Sequence, residues 1–141
     1  MTRLVLVCAA AAAGALLLAG CGSRTSEDAI EVVKDYYAAI NTGDVDTAMT
    51  YVARQALFAN PTGVYRGAGA IRTFIESSTG ITQELSNFRA KGGRVAYDYR
   101  VIQKATGEVL DEGTHGLTVV RHRQIVFDGT EADEGGGGGG G

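Results

Sequence analysis

The chain has 141 residues, with 13 basic against 16 acidic side chains, two histidines and two cysteines. That mildly acidic balance excludes a general nucleic-acid binder, which would carry a basic patch. Two histidines without ligand-spaced carboxylates predict no metal site, and two cysteines cannot form a disulfide framework. No cofactor is expected.

In chain order, the first feature is an apolar run over residues 4–20, preceded by Arg3 and closed by small residues. That is the layout of a secretory signal. At 17 residues it is short for a membrane span, which needs about 20. A polar Gly-Ser-Arg-Thr-Ser follows it with no stop-transfer cluster. Leu18-Ala19-Gly20-Cys21 resembles the lipobox of bacterial lipoproteins at all four positions. The resemblance implies acylation of the Cys21 sulfur, with palmitate-type lipid, and cleavage before it. The protein would then sit on the extracytoplasmic face of a bacterial cell membrane. The alternative is an ordinary signal peptide with an incidental cysteine. Two acyl chains hold a protein stably at about 0.8 kcal/mol per buried CH₂. Cys8 would leave with the signal and Cys21 would be consumed by lipid, so cysteine chemistry is not expected.

Removing residues 1–20 takes Arg3 from the 13 basic residues and leaves 12 against 16 acidic. This net charge predicts no electrostatic second anchor to anionic lipid. Residues 21–25 read as the lipidated cysteine and a short tether, 26–129 as one domain, and 130–141 as a disordered acidic tail ending in seven glycines.

Within the domain, Thr25-Ser26-Glu27-Asp28 supplies cap candidates and first-turn acids. Ile30, Val33, Tyr36/Tyr37 and Ile40 recur at helical spacing, and Asn41-Thr42-Gly43 ends that helix. Asp44 caps a second helix with Val45, Ala48, Met49 and Val52 on one stripe. Residues 56–60 are apolar, and Pro61-Thr62-Gly63 turns the chain. A third helix spans 67–78. Strands are predicted over 82–91, 94–104, 108–120 and 124–128, with Gly92-Gly93 as a hairpin turn. The expected fold is α+β and cone-shaped, with three N-terminal helices packed on a curved, mostly antiparallel sheet. On the second of these strands Val95, Tyr97, Tyr99 and Val101 share the face expected to line the cone, and Asp98 and Arg100 the opposite one.

Val32–Asp46, together with Ala56-Leu57-Phe58-Ala59-Asn60-Pro61, Tyr65-Arg66-Gly67 and Ala70-Ile71-Arg72-Thr73-Phe74, resembles the nuclear transport factor 2-like superfamily. The closest subset is the SnoaL-like polyketide cyclase and ketosteroid isomerase group. This fold hosts both enzymes and binding modules, so the resemblance implies fold more than function. It also implies that Tyr36 occupies the position of an oxyanion donor. Asn60 stands where the isomerases carry an acidic general base, and an amide cannot accept a proton at neutral pH. His115 aligns with a protonated aspartic acid, a group whose chemistry is a known case of a carboxyl kept neutral by its apolar site.

The expected pocket is therefore Tyr36, Phe58, Asn60, Tyr97, Tyr99 and His115, with Tyr36, Asn60 and His115 as catalytic candidates. An epoxide-hydrolase arrangement would need Asp98 and Arg100 inside the cone, where alternation does not place them. His122, between Arg121 and Arg123, reads as a solvated turn. Gly67-Ala68-Gly69-Ala70 lacks the residues of a phosphate loop. The favoured function is a membrane-anchored module binding a small hydrophobic ligand or a partner protein without catalysis. A homodimer through the sheet, using Ile102 and Val126, is the related expectation. The alternative is a lipid-anchored isomerase, dehydratase or hydrolase with a Tyr/Asn/His pocket.

Overall fold

The computed structural model describes residues 21–131, with side chains from Arg24 onward. The signal over 1–20 and the tail over 132–141 lie outside the described residues. Helix α1 (Cys21–Thr42) is followed by α2 (Val45–Thr50), β1 (Val52–Asn60), β2 (Gly63–Arg66) and α3 (Ala68–Ser77). The remaining strands are β3 (Ile81–Lys91), β4 (Arg94–Gln103), β5 (Val109–Arg121) and β6 (Gln124–Thr130). Among the described residues, no helix is long and apolar enough to cross a membrane.

Helix α1 is amphipathic. Ala29, Val32, Val33, Tyr36, Tyr37 and Ile40 are buried, whereas Glu31, Lys34 and Asp35 are exposed. Its end is set by Gly43, which takes φ +77° at no steric cost. The Gly43 amide donates to the Ile40 carbonyl and the Asp44 amide to the Ala39 carbonyl, both at 2.9 Å, which closes the helix as a Schellman motif. Asp44 then caps α2 by accepting from the Thr47 amide at 3.0 Å.

Both ends of α1 are pinned to the β3–β4 hairpin. Asn41 donates to the Gln83 carbonyl and accepts from the Gln83 amide, each at 2.8 Å. Ser26 accepts from the Gly92 amide at 3.0 Å.

The six strands form one sheet in the order β2-β1-β6-β5-β4-β3. Every neighbouring pair is antiparallel except β1 and β6, which run parallel with Leu57 beside Phe127 and Phe58 beside Asp128. Register shifts interrupt β1/β6, β3/β4, β4/β5 and β5/β6. Such bulges bend and twist a sheet, which here wraps it around α1. The main core gathers α1, Ala48, Ile71 and Ile75 against Val52, Phe58, Val95, Tyr97, Val120 and Ile125. On the opposite face a smaller cluster of Ala59, Leu117, Val119 and Phe127 is buried by its surroundings.

The α+β class and the mostly antiparallel sheet agree with expectation, but the helices are not all N-terminal, because α3 follows β1 and β2. Val52, read as part of the second helical stripe, opens β1 instead. Strand β2 was not expected: only Gly63 of it falls in the predicted turn Pro61-Thr62-Gly63. Residues 22–25, read as a tether, already belong to α1, and Thr130, read as the start of the tail, belongs to β6.

Candidate functional site

Inside the cone, four polar side chains from four elements meet: Tyr37 on α1, Tyr97 on β4, Thr118 on β5 and Asp128 on β6. Thr118 donates to Asp128 Oδ1 at 2.6 Å. Tyr37 donates to Oδ2 at 2.8 Å and lies 3.0 Å from Oδ1. Tyr97 lies 3.1 Å from Oδ1, 2.9 Å from the Thr118 hydroxyl and 3.3 Å from that of Tyr37. Each hydroxyl has one hydrogen to give, and an ionised carboxylate can accept all three.

Sheet geometry creates this meeting. Thr118 pairs with Asp128, and a shift between Val119 and Val120 absorbs Val126, so that Ile125 and Asp128 both turn inward. The Tyr97 ring lies over Gly116 and the Tyr99 ring over Gly113, each filling the space a Cβ would need. Around the polar cluster the walls are aromatic. Tyr36 meets Tyr37 and Phe58 edge-on at centroid separations of 5.0 and 6.1 Å. Tyr37 meets Tyr97 edge-on at 6.1 Å.

Burial pushes the Asp128 carboxyl above its ordinary value, against the lowering pull of its bonds from Thr118, Tyr37 and Tyr97. Burial also raises the phenols of Tyr36, Tyr37 and Tyr97, and the negative charge of Asp128 raises them further. These tyrosines are therefore hydrogen-bond donors at neutral pH and not bases. Asp128 is the group at this centre whose proton can come and go.

The expected catalytic trio does not converge. Tyr36 and Phe58 are buried in the aromatic wall, as is Tyr97. Asn60 is half-buried at the β1–β2 turn, where its side chain accepts from the Thr62 amide at 2.9 Å. Tyr99 is half-buried and points its hydroxyl toward Asp111 at 3.5 Å.

His115 is 76 % exposed and lies 3.6 Å from Glu131, outside the cone. The cause is a bulge: Tyr97 pairs with Gly116 but Tyr99 with Gly113, so β5 spends an extra residue there and alternation breaks. Asp98 and Arg100 do lie on the outer face. Asp98 meets Asn87 and Arg89, and Arg100 meets Glu84 and Glu112. Ile102 and Val126 are half-buried.

Asp128, Thr118 and Tyr37 are site residues that the sequence does not single out, and the family resemblance points instead to Tyr36, the neighbour of Tyr37. A signal for Thr118 existed in its place at the centre of Leu117–Val120, a polar residue in an apolar strand run. Asp128 gave none, because the bulge in Ile125-Val126-Phe127 hides which way the strand faces.

Two shallow grooves lie elsewhere. One of about 210 Å³ is lined on the outer face by Arg89, Lys91, Arg94, Ala96, Leu117 and Glu131. The other, about 180 Å³, lies between the start of α1 and the β5–β6 turn. Among the described residues, no group of three His, Cys, Asp or Glu side chains is placed to hold a metal.

No curated protein matches the chain in sequence. Solved structures share its fold. An NTF2-like protein of unknown function from Cytophaga hutchinsonii superposes with a TM-score of 0.63 at 17% identity, covering 72% of this chain and 86% of that one. A proposed polyketide cyclase from Sinorhizobium meliloti gives 0.61 at 15% identity, with 72% and 94% covered. A proposed ketosteroid isomerase from Kribbella flavida gives 0.62 at 11% identity, with 74% and 76% covered. The SnoaL-like domain family matches residues 33–128, which run from the core of α1 to the carboxylate at the centre of the cone. The chain belongs to the SnoaL-like domain family.

Proposed function

We propose that the chain is a bacterial lipoprotein, anchored through lipidated Cys21 on the extracytoplasmic face of the membrane. Its SnoaL-like domain works there as a module that binds a partner protein without catalysis, because side chains occupy the interior where a small hydrophobic ligand would sit. One observation carries the non-catalytic part. The carboxylate at the centre of the cone is engaged by Tyr37, Tyr97 and Thr118, and the tyrosines around it fill the interior. Neither Asn60 nor His115 completes an acid–base pair with Tyr36.

The anchor is tested by metabolic labelling with an alkyne-tagged palmitate analogue in a bacterial host. Label in the membrane fraction that disappears in Cys21→Ser supports it. An unlabelled chain, or label that survives the substitution, contradicts it.

A second reading has its own support. A carboxyl group with a raised pKa beside two tyrosine hydroxyls is an arrangement suited to moving a proton α to a carbonyl. In that case Asp128, and not Asn60 or His115, is the acid–base residue of a lipid-anchored isomerase. Deuterium uptake from D₂O into an enolisable cyclic enone, followed by NMR, separates the two readings. Uptake by the native chain that is lost in Asp128→Asn establishes catalysis, and no uptake above the uncatalysed rate favours binding.

A further inference from the structure

Charge in this protein is segregated, which the net balance conceals. The β3–β4 turn, the β5–β6 turn and the first turns of α1 lie together at one end of the domain. Ser26 of α1 holds the Gly92 amide, the Val120 amide donates to the Gly93 carbonyl at 2.7 Å, and Arg123 lies 4.0 Å from Asp28. That end carries Arg24, Lys91, Arg94, Arg121 and Arg123, all exposed, with His122 beside them. The acids at that end are Glu27 and Asp28 on the same turns of α1, and Glu131, which shares a groove with Lys91 and Arg94. The rest of residues 21–141 holds seven basic and thirteen acidic side chains.

The β5–β6 turn adds an independent observation. His122 and Arg123 are the two central residues between the paired Arg121 and Gln124, with φ of +50° and +60°. Such turns ordinarily use Asn-Gly, because side-chain-bearing residues rarely adopt that conformation. The neighbouring β3–β4 turn solves the same problem with Gly92 at +59°. The β5–β6 turn keeps an imidazole and a guanidinium in a strained backbone, an outlier of the kind that points to use of the side chains.

We infer that this end is a docking surface for an anionic lipid bilayer, which holds the domain upright with its two hairpin turns against the headgroups. The choice of occupant rests on the Cys21 anchor proposed above, because α1 begins at Cys21 on this same end. Helical residues rise only about 1.5 Å each, so the basic turns cannot stand far from an anchored Cys21.

The test uses the full chain on vesicles of phosphatidylglycerol mixed with phosphatidylcholine, compared with phosphatidylcholine alone. Amine labelling reports Lys91 at the basic end and Lys104 in the β4–β5 turn. Expected is shielding of Lys91 relative to Lys104 on the anionic vesicles only. Arg121→Gln with Arg123→Gln should reduce the preference for anionic vesicles about 30-fold, the ratio that two basic side chains near such a surface confer. His122→Asn with Arg123→Gly should raise the unfolding midpoint while also weakening that preference, which separates folding from docking.

A chain that binds both vesicle types with Lys91 and Lys104 equally reactive overturns the docking surface and leaves the anchor standing. Conversely, a chain that binds only anionic vesicles, with Lys91 shielded, supports the surface and contradicts the anchor. An unchanged preference in either double variant overturns the surface.

Discussion

Asp98 and Asp128 lie on opposite faces of the same sheet, and the protein treats them in opposite ways. Asp98, on the outer face, is held below the ordinary carboxyl range by Asn87 first and Arg89 next. Asp128, on the inner face, is pushed above it by burial, and three hydroxyls recover only part of the lost hydration. Neutral donors can satisfy every lone pair of a carboxylate without supplying the charge that would hold it ionised. The outer face therefore spends its acids on surface ion pairs. The inner face concentrates one titratable group inside an aromatic shell, and the site follows from that difference.

Removing the inner shell should have the largest effect. Tyr97→Ala takes away a buried ring and the hydroxyl between Thr118 and Asp128. A cost of about 3–5 kcal/mol in urea unfolding is expected for such a truncation. Gly116→Ala should follow at about 1–3 kcal/mol, because the new Cβ overlaps the Tyr97 ring and forces it off its place beside Asp128. A fully neutral Gly116→Ala would mean that the Tyr97 ring does not lie where the contact places it.

Asp128→Asn tests the titration itself. The folded value of Asp128 lies above 3.8, so its contribution to stability is whole below about pH 3.8 and is lost as pH rises through the raised value. The thermal stability of the native chain, relative to the Asn variant, should therefore fall with rising pH across that window. The smallest effect is expected on the outer face. Asp98→Asn should leave the unfolding midpoint near its native position at neutral pH, as is usual for an exposed ion pair. Its sign is opposite: the contribution of Asp98 is present above the ordinary carboxyl value and lost as pH falls through its lowered one.

How much of this was legible depends on where the chain keeps a strict period. The stripe of α1, the Gly43 stop, the Asp44 cap and the alternation of Val95, Tyr97 and Tyr99 were all readable, because helix and strand periods persist there without interruption. The inner and outer assignment of Tyr97 and Asp98 followed from that alternation alone. His115 was misplaced because the bulge near it inserts a residue into β5, which no local composition announces. Asp128 was missed for the same reason one hairpin later, where Val126 sits in the register shift of β5 and β6. Strand β2 is only four residues long and carries Gly63 in its first position, so its pattern never reaches a period. The basic end was hidden differently. Arg24, Lys91, Arg94, Arg121 and Arg123 are scattered through the sequence, and only the topology gathers them.

The most direct measurement is the carbon-13 carboxyl titration of the aspartates by NMR, with Asp98 as the internal reference for Asp128. The geometry predicts that Asp128 titrates above the ordinary aspartate value and Asp98 below it. Its midpoint should shift again when Thr118→Val removes the 2.6 Å donor. An Asp128 that titrates at or below the ordinary value, or one indifferent to Thr118→Val, would contradict a half-buried carboxylate ringed by hydroxyls inside the cone.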